Sequence, residues 1–280
     1  MGHKKVERID PLTLALPACG ADSHAHLDDE AFDADRSDVL ARAEAVGIST
    51  IVNIFLNPLE FSAKKGLFAA HSNVAWVLGI HPCDGLRFGE DALEALEKAL
   101  REEPIVALGE IGLDYHWPDC PREVQLALFA RELELARSLH KPVVIHCREA
   151  EADCLTVLES HGFAGYPLLW HCFGGDQSLA RRLLHNGWMI SVPGPVTYPA
   201  NSAMRSAIAT IPDDRLLIET DCPYLAPHPW RGKRNEPAFT VFTAHAIAEI
   251  RQQQVEQLWK MTGDNCRRFF GLKRDPLSSV

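Results

Sequence analysis

Short runs rich in Val, Ile and Leu alternate along this chain with amphipathic stretches of about 10 to 20 residues, and no Ser/Gly-rich linker or charge block interrupts them. The runs are ADSHAHL from Ala21, STIVNIF from Ser49, VAWVLGIHP from Val74, IVALGEIGLD from Ile105, PVVIHCRE from Pro142, YPLLWHCF from Tyr166, WMISVPG from Trp188 and RLLIETD from Arg215. Their ends, at His26, Ile54, His81, Glu110, His146, His171, Pro193 and Asp221, recur about every 28 residues, close to the roughly 30 that a βαβ unit needs. Helical patterns lie between them at DRSDVLARAEAVG, EDALEALEKALREE, PREVQLALFARELELARSLH and DQSLARRLLHNG, and the tail from Phe239 reads as closing helices. Eight strands each followed by a crossover predict an α/β chain folded as a single (β/α)₈ TIM-type barrel, and 280 residues fit that fold's usual size of about 250.

Residues 1–20 read as a leader segment or first strand ahead of one barrel domain over 21–280. Its apolar part, Leu12 to Leu16, is short, Pro-flanked and preceded by Glu7 and Asp10, unlike a secretory signal. The longest apolar stretches are far below the roughly 20 residues that cross a bilayer, so a cytoplasmic protein with no membrane contact is expected. The eight cysteines form no CxxC pair, which argues against a zinc ribbon or disulfide framework and for reduced packing residues. With 28 Lys plus Arg against 38 Asp plus Glu, the charge of -10 excludes nucleic-acid binding by a general basic face.

In a barrel of this kind chemistry sits at the C-terminal ends of the strands. Those ends carry His24 and His26, then Glu110, His146, His171 and Asp221: imidazoles and carboxylates arriving independently from different strands, as a metal site requires. His24 and His26, two apart on a strand, face one way and can grip one ion. Glu110, between Gly109 and Gly112 with their room near the backbone, is placed to bridge two metals; pairing with a basic group inside the barrel is the other reading. His146 and His171 each precede a cysteine, so alternation points the imidazoles inward and leaves Cys147 and Cys172 to pack outward. Asp221 can ligate a metal and take a proton from water, with Glu219 in support. His81 is assigned substrate contact or acid assistance, a capped structural histidine being the other reading. Arg148 and the loop Arg231, Lys233 and Arg234 are the cations near the mouth, suited to phosphate oxygens.

These segments carry a resemblance. DSHAHLD from Asp22, GIHP from Gly79, GEIGLDY from Gly109, KPVVIHCRE from Lys141, HCFGG from His171, LLIETDCPYLAP from Leu217 and RGKRNEP from Arg231 are similar to the TatD family of metal-dependent deoxyribonucleases, within the amidohydrolase-like superfamily, and NCRRFF from Asn265 resembles its C-terminal pattern. The resemblance implies two divalent ions: His24 and His26 on one, Glu110 bridging, His146 and His171 on the second, and Asp221 as the metal-bound acid/base. It implies hydrolysis of DNA phosphodiesters, as a 3′ to 5′ exonuclease on single strands or frayed 3′ ends, with Mg²⁺ in catalysis and Zn²⁺, Mn²⁺, Fe²⁺ or Ni²⁺ also compatible with the site. Arg148 and the Arg231 loop would hold phosphate, and Tyr224, Trp230 or His116 would stack on a base. No obligate protein partner is evident. The chain departs from the family in having Ala25 where Cys is common, and in its longer N-terminal segment. The alternative reading keeps the metals but hydrolyses an amide or ester, as an amidohydrolase or an aminoacyl-tRNA deacylase would; a barrel that has lost its chemistry would lack one of the six ligands.

Overall fold

The structure is a computed structural model and describes residues 8–273. The first seven residues of the leader, with His3, and the last seven of the expected domain lie outside the described residues. Eight parallel strands form one sheet in sequence order: β1 (Gly20–Ala25), β2 (Ile48–Phe55), β3 (Val74–Leu78), β4 (Ile105–Asp114), β5 (Val143–Arg148), β6 (Leu168–Trp170), β7 (Met189–Val192) and β8 (Leu216–Ile218). Around them run α1 (Arg36–Ala45), α2 (Phe61–Lys64), α3 (Glu90–Glu102), α4 (Arg122–Ser138), α5 (Glu151–Ser160), α6 (Gln177–His185), α7 (Ser202–Ile208), α8 (Thr240–Arg251) and α9 (Val255–Phe269). The fold is the expected (β/α)₈ barrel. No helix among the described residues is long and apolar enough to cross a membrane.

Alternation along the strands sorts the core into two layers. Val52, Ile54, Val77, Ala107, Val144, Leu169 and Leu217 fill the barrel, closed at its lower end by Cys266 and Phe270 near the end of the chain's last helix. The residues between them, such as Ile51, Leu108, Ile145 and Ile218, pack outward against the helices. In α3 the buried residues Ala92, Leu96 and Leu100 follow one another every four positions, with Glu90 and Asp91 in the first turn facing the helix dipole's positive end. Asp176 caps α6, accepting from the Ser178 and Leu179 backbone N–H groups at 2.8 and 3.0 Å.

The last three strands are shorter than their sequence runs suggest, so His171, Pro193 and Asp221 lie just beyond strand ends. The helices α2, α5 and α7 add to those the sequence predicts; α7 buries Met204, Ala207 and Ile208 and α5 buries Cys154, Leu155 and Leu158, apolar sets too short to stand out beside the longer helical runs. The described leader residues 8–19 form no strand. They lie along the barrel, with Leu16 N–H donating to the Val46 carbonyl at 3.0 Å and the Trp259 and Trp230 indoles donating to Pro17 and Ile9 carbonyls at 2.9 and 2.8 Å.

Between β8 and β1 the barrel closes only near its upper rim. Ala25 pairs with Cys222, Asp221 N–H donates to the His24 carbonyl at 2.9 Å, and His26 N–H donates to the Cys222 carbonyl at 2.9 Å. Below this, the Asp22 carboxylate accepts from Thr220 N–H at 2.9 Å and Thr220 Oγ1 at 2.5 Å. The seam therefore fastens the His24/His26 segment directly to Asp221.

Candidate metal centre

Strict alternation would not deliver all these side chains to the mouth. On β1, Ala21 faces inward, and Ser23 does too, bonded to Ser191 across the barrel at 2.7 Å, which would turn His24 outward. A register shift against β2 between Asp22 and Ala25 brings His24 in, leaving Ala25 outside. A second shift, between Leu108 and Ile111, does the same for Glu110 on β4, where Ala107 faces inward and Leu108 outward. Such irregularities re-aim side chains beside functional sites. The glycines around Glu110 serve strand approach rather than room for ions: a Cβ on Gly109 would sit 2.7 Å from Val144 Cβ, and one on Gly112, whose φ is 141°, 2.0 Å from the His146 carbonyl oxygen. Asp221 adopts a left-handed backbone with φ 57°, uncommon outside glycine.

The six expected ligands meet in one place. His24 Nε2 and His26 Nε2 are 3.3 Å apart, and Asp221 Oδ1 lies 3.7 and 3.4 Å from them. Glu110 reaches both sides: Oε1 is 3.7 Å from His26 Nε2, while Oε2 is 3.5 Å from His24 Nε2, 3.3 Å from His146 Nδ1 and 2.6 Å from His171 Nε2. His146 Nδ1 and His171 Nε2 are 3.3 Å apart, and the His24 and His171 rings stack with centroids 3.9 Å apart. Ligands about 2.1 Å from a tetrahedral cation stand about 3.4 Å from one another, so the donor spacing fits divalent cations on either side of Glu110. Buried nitrogens facing one another at this distance are also poorly satisfied by each other, and the buried His24 Nδ1 has no partner.

Outer contacts aim the imidazoles. His26 Nδ1 donates to the Ile54 carbonyl at 3.1 Å, leaving Nε2 for the centre. His146 is held the other way round, Nε2 on Asp114 Oδ2 at 3.0 Å and Nδ1 inward. His171 Nδ1 is buried without a hydrogen bond, 3.6 Å from Glu219 Oε1, which accepts instead from Cys172 N–H at 2.6 Å. Burial opposes charge on His26, but Asp221 and Glu110 outweigh it and hold its pKa up at about 9. Burial disfavours a charged Glu110 as well, yet His171 and His24 hold it well below the usual carboxylate range.

Around the centre opens a cavity of about 950 Å³. Arg148 lines it, and so does His81. His81 caps the turn Pro82–Asp84, its Nδ1 accepting from Cys83 N–H at 3.2 Å, and its ring stands edge-on to His146 with centroids 4.5 Å apart. Burial and the neighbouring His146 push its pKa down to about 3, so the ring is neutral and its Nε2 is the donor. Arg231 is outside this lining, its guanidinium 4.6 Å from the Tyr198 ring centroid. Arg234 is engaged by Asp35 at 2.6 and 2.7 Å. Trp230 stacks on Phe239 with centroids 4.9 Å apart, away from the cavity, whereas Tyr224 lines it. Cys147 packs against the outer core as expected yet also reaches the cavity lining, and Cys172, in a left-handed turn with φ 51° beyond the end of β6, lines the cavity rather than packing outward. The structure adds Asp114, Lys64, Arg87 and Trp117 to the lining. Asp114 lies four residues after Glu110 on the same strand face, a spacing that could have revealed it; Lys64 ends the one-turn helix α2, and Arg87 and Trp117 sit on loops with no pattern.

Imidazoles and carboxylates gathered around one carboxylate at the mouth of a parallel barrel define the class: a metal-dependent hydrolase. The sequence profile of the family described as TatD related DNase matches residues 21–271. The chain is 35% identical over 249 residues to the "uncharacterized metal-dependent hydrolase YabD" of Bacillus subtilis, spanning 89% of this chain and 98% of that protein. It is 32% identical over 247 residues to the "3′-5′ ssDNA/RNA exonuclease TatD" of Pantoea ananatis, spanning 86% and 95%. Among solved structures, the TatD homologue YJJV of Escherichia coli superposes with a TM-score of 0.86 at 28% identity, over 91% of this chain and 99% of that one. The chain belongs to the TatD family, and it is an enzyme.

Proposed function

We propose that this enzyme hydrolyses phosphodiester bonds at the 3′ ends of single-stranded or frayed DNA, using two divalent ions. The observation that carries the reading is Glu110, whose two oxygens lie within 2.6 to 3.7 Å of nitrogens from four histidines on three strand segments. His24, His26 and Asp221 would hold one cation, His146 and His171 the other, with Glu110 shared. Cations there would supply charge neutralisation for the phosphate and a lowered pKa for water; Mg²⁺ is the proposed working ion, and Zn²⁺, Mn²⁺, Fe²⁺ and Ni²⁺ also suit the donors. Asp221 accepts the proton of the attacking water. Arg148, with Lys64 and Arg87 on the same cavity wall system, binds phosphate oxygens, and His81 donates from Nε2. The exonuclease activity named for the Pantoea ananatis relative supports a nucleic-acid substrate and 3′ to 5′ direction. Eight free thiols fit a reducing, cytoplasmic setting.

The test is a panel of Mg²⁺, Mn²⁺ and Zn²⁺ against end-labelled single strands, model carboxylic esters and an aminoacyl-tRNA. Shortening of the strand from its 3′ end supports the proposal. Turnover of the esters or of the aminoacyl bond with DNA left intact would assign the alternative substrate instead.

A further inference from the structure

Trp117 is 49% exposed, yet it is not a free surface residue. Its backbone N–H donates to Asp114 Oδ1 at 3.3 Å, alongside that of His116 at 2.9 Å. The His116 ring stands edge-on to the indole with centroids 4.9 Å apart, and is itself fixed by Glu149 at 2.6 Å from Nδ1. The Arg148 guanidinium lies 5.6 Å from the indole centroid, within cation–π reach. An aromatic surface held by three neighbours and still wet is arranged to receive something flat. The cavity it lines also contains Glu110 and Asp221. Asp114 links the two places physically, since its other oxygen holds His146.

We propose that Trp117 is the stacking platform for the unpaired base at the strand end being cleaved, with Arg148 beside it to engage that nucleotide's phosphate. The inference rests on the nuclease reading above and adds the feature that selects for unpaired nucleotides: a base stacked inside a duplex presents no free face to Trp117, whereas a single-stranded or frayed one does. Sequence preference should be weak, because every base has a stacking face.

The test uses fluorescence anisotropy in the presence of Mg²⁺ with a 5′-fluorescein oligothymidylate whose 3′-terminal linkage is a phosphorothioate, and with the same strand ending in an abasic nucleotide. Trp117→Ala should weaken the base-bearing strand about tenfold, and Trp117→Phe should recover most of the loss. On the abasic strand, wild type should already bind about tenfold more weakly, and Trp117→Ala should cost nothing further. In turnover of the ordinary phosphodiester, KM should rise with kcat nearly unchanged. Equal losses on both strands, or none on either, would overturn the platform while leaving the nuclease reading intact. A wild-type enzyme that neither binds nor cleaves the strand would overturn both.

Discussion

Glu110 is the side chain on which the centre depends, because its carboxylate alone reaches the donors on both sides. Replacing it with Ala, or Asp221 with Asn, should reduce metal-dependent cleavage to background while circular dichroism and Tm stay close to wild type. Cleavage at wild-type levels by either variant would remove that residue from the mechanism. Asp114 acts through His146, holding Nε2 so that Nδ1 faces the centre. Asp114→Asn should therefore lower metal affinity by about 10- to 100-fold, measured by competition with a chelating dye. Much of this was legible in the sequence: His24 and His26, Glu110, His146, His171 and Asp221 are polar groups at the ends of apolar runs, where nothing but a site requires them. Lys64, Arg87 and Trp117 were not legible, because a one-turn helix such as α2 and the loops of the other two carry no periodicity that says which way they fold over the mouth. In the RGKR loop, the pairing of Arg234 with Asp35, about 200 residues away in the chain, is a long-range contact that no local pattern reveals.

At the scale of elements, two devices hold the strand ends in place. One is the seam between β8 and β1, where Asp22 grips Thr220. Thr220→Val removes one donor from a buried carboxylate and should cost about 1 to 3 kcal/mol in urea denaturation. An unchanged midpoint would show that the seam closes without it. The other is α4, whose buried Gln125 and Glu132 lie seven residues apart on one face. Gln125 exchanges hydrogen bonds with the Asp114 backbone at 2.8 and 2.7 Å, and Glu132 Oε1 accepts from Ile80 N–H, next to His81, at 2.9 Å. Burial raises the Glu132 pKa well above its ordinary 4.5. The folded protein thus keeps a proton that the unfolded chain loses above that value, so this group's contribution to stability falls as pH rises. Glu132→Gln, which does not titrate, should gain in Tm relative to wild type between about pH 5 and about pH 8. A difference that stays flat would mean that Glu132 is ionised in the fold. Strand order followed from the regular spacing of the apolar runs, but the register shifts that turn His24 and Glu110 inward did not, since they depend on pairing with the neighbouring strand.

For the whole molecule, the charge of -10 and a nucleic-acid substrate are compatible only if attraction is local. The cavity walls carry Arg148, Arg87 and Lys64, the last paired with Asp28 at 3.2 Å, against nine carboxylates, so the attraction would have to come from the four positive charges of two divalent ions. This predicts that binding to long duplex DNA is weak and that binding to single strands is lost with chelation, both readable by gel shift. Tight metal-free binding along a duplex would contradict it. The described leader residues, strapped along the barrel, add no charge to the mouth; Ile9 and Leu14 instead line a separate shallow groove. On the proposed reading, six side chains from five strand ends hold two ions without which the enzyme is inert. Protein stripped by chelator, dialysed against Mn²⁺ and analysed by elemental mass spectrometry should take up two ions per chain and regain cleavage of single-stranded DNA in step with them. Undiminished cleavage by the stripped protein, or full activity with no ion retained by the wild type, would contradict the account.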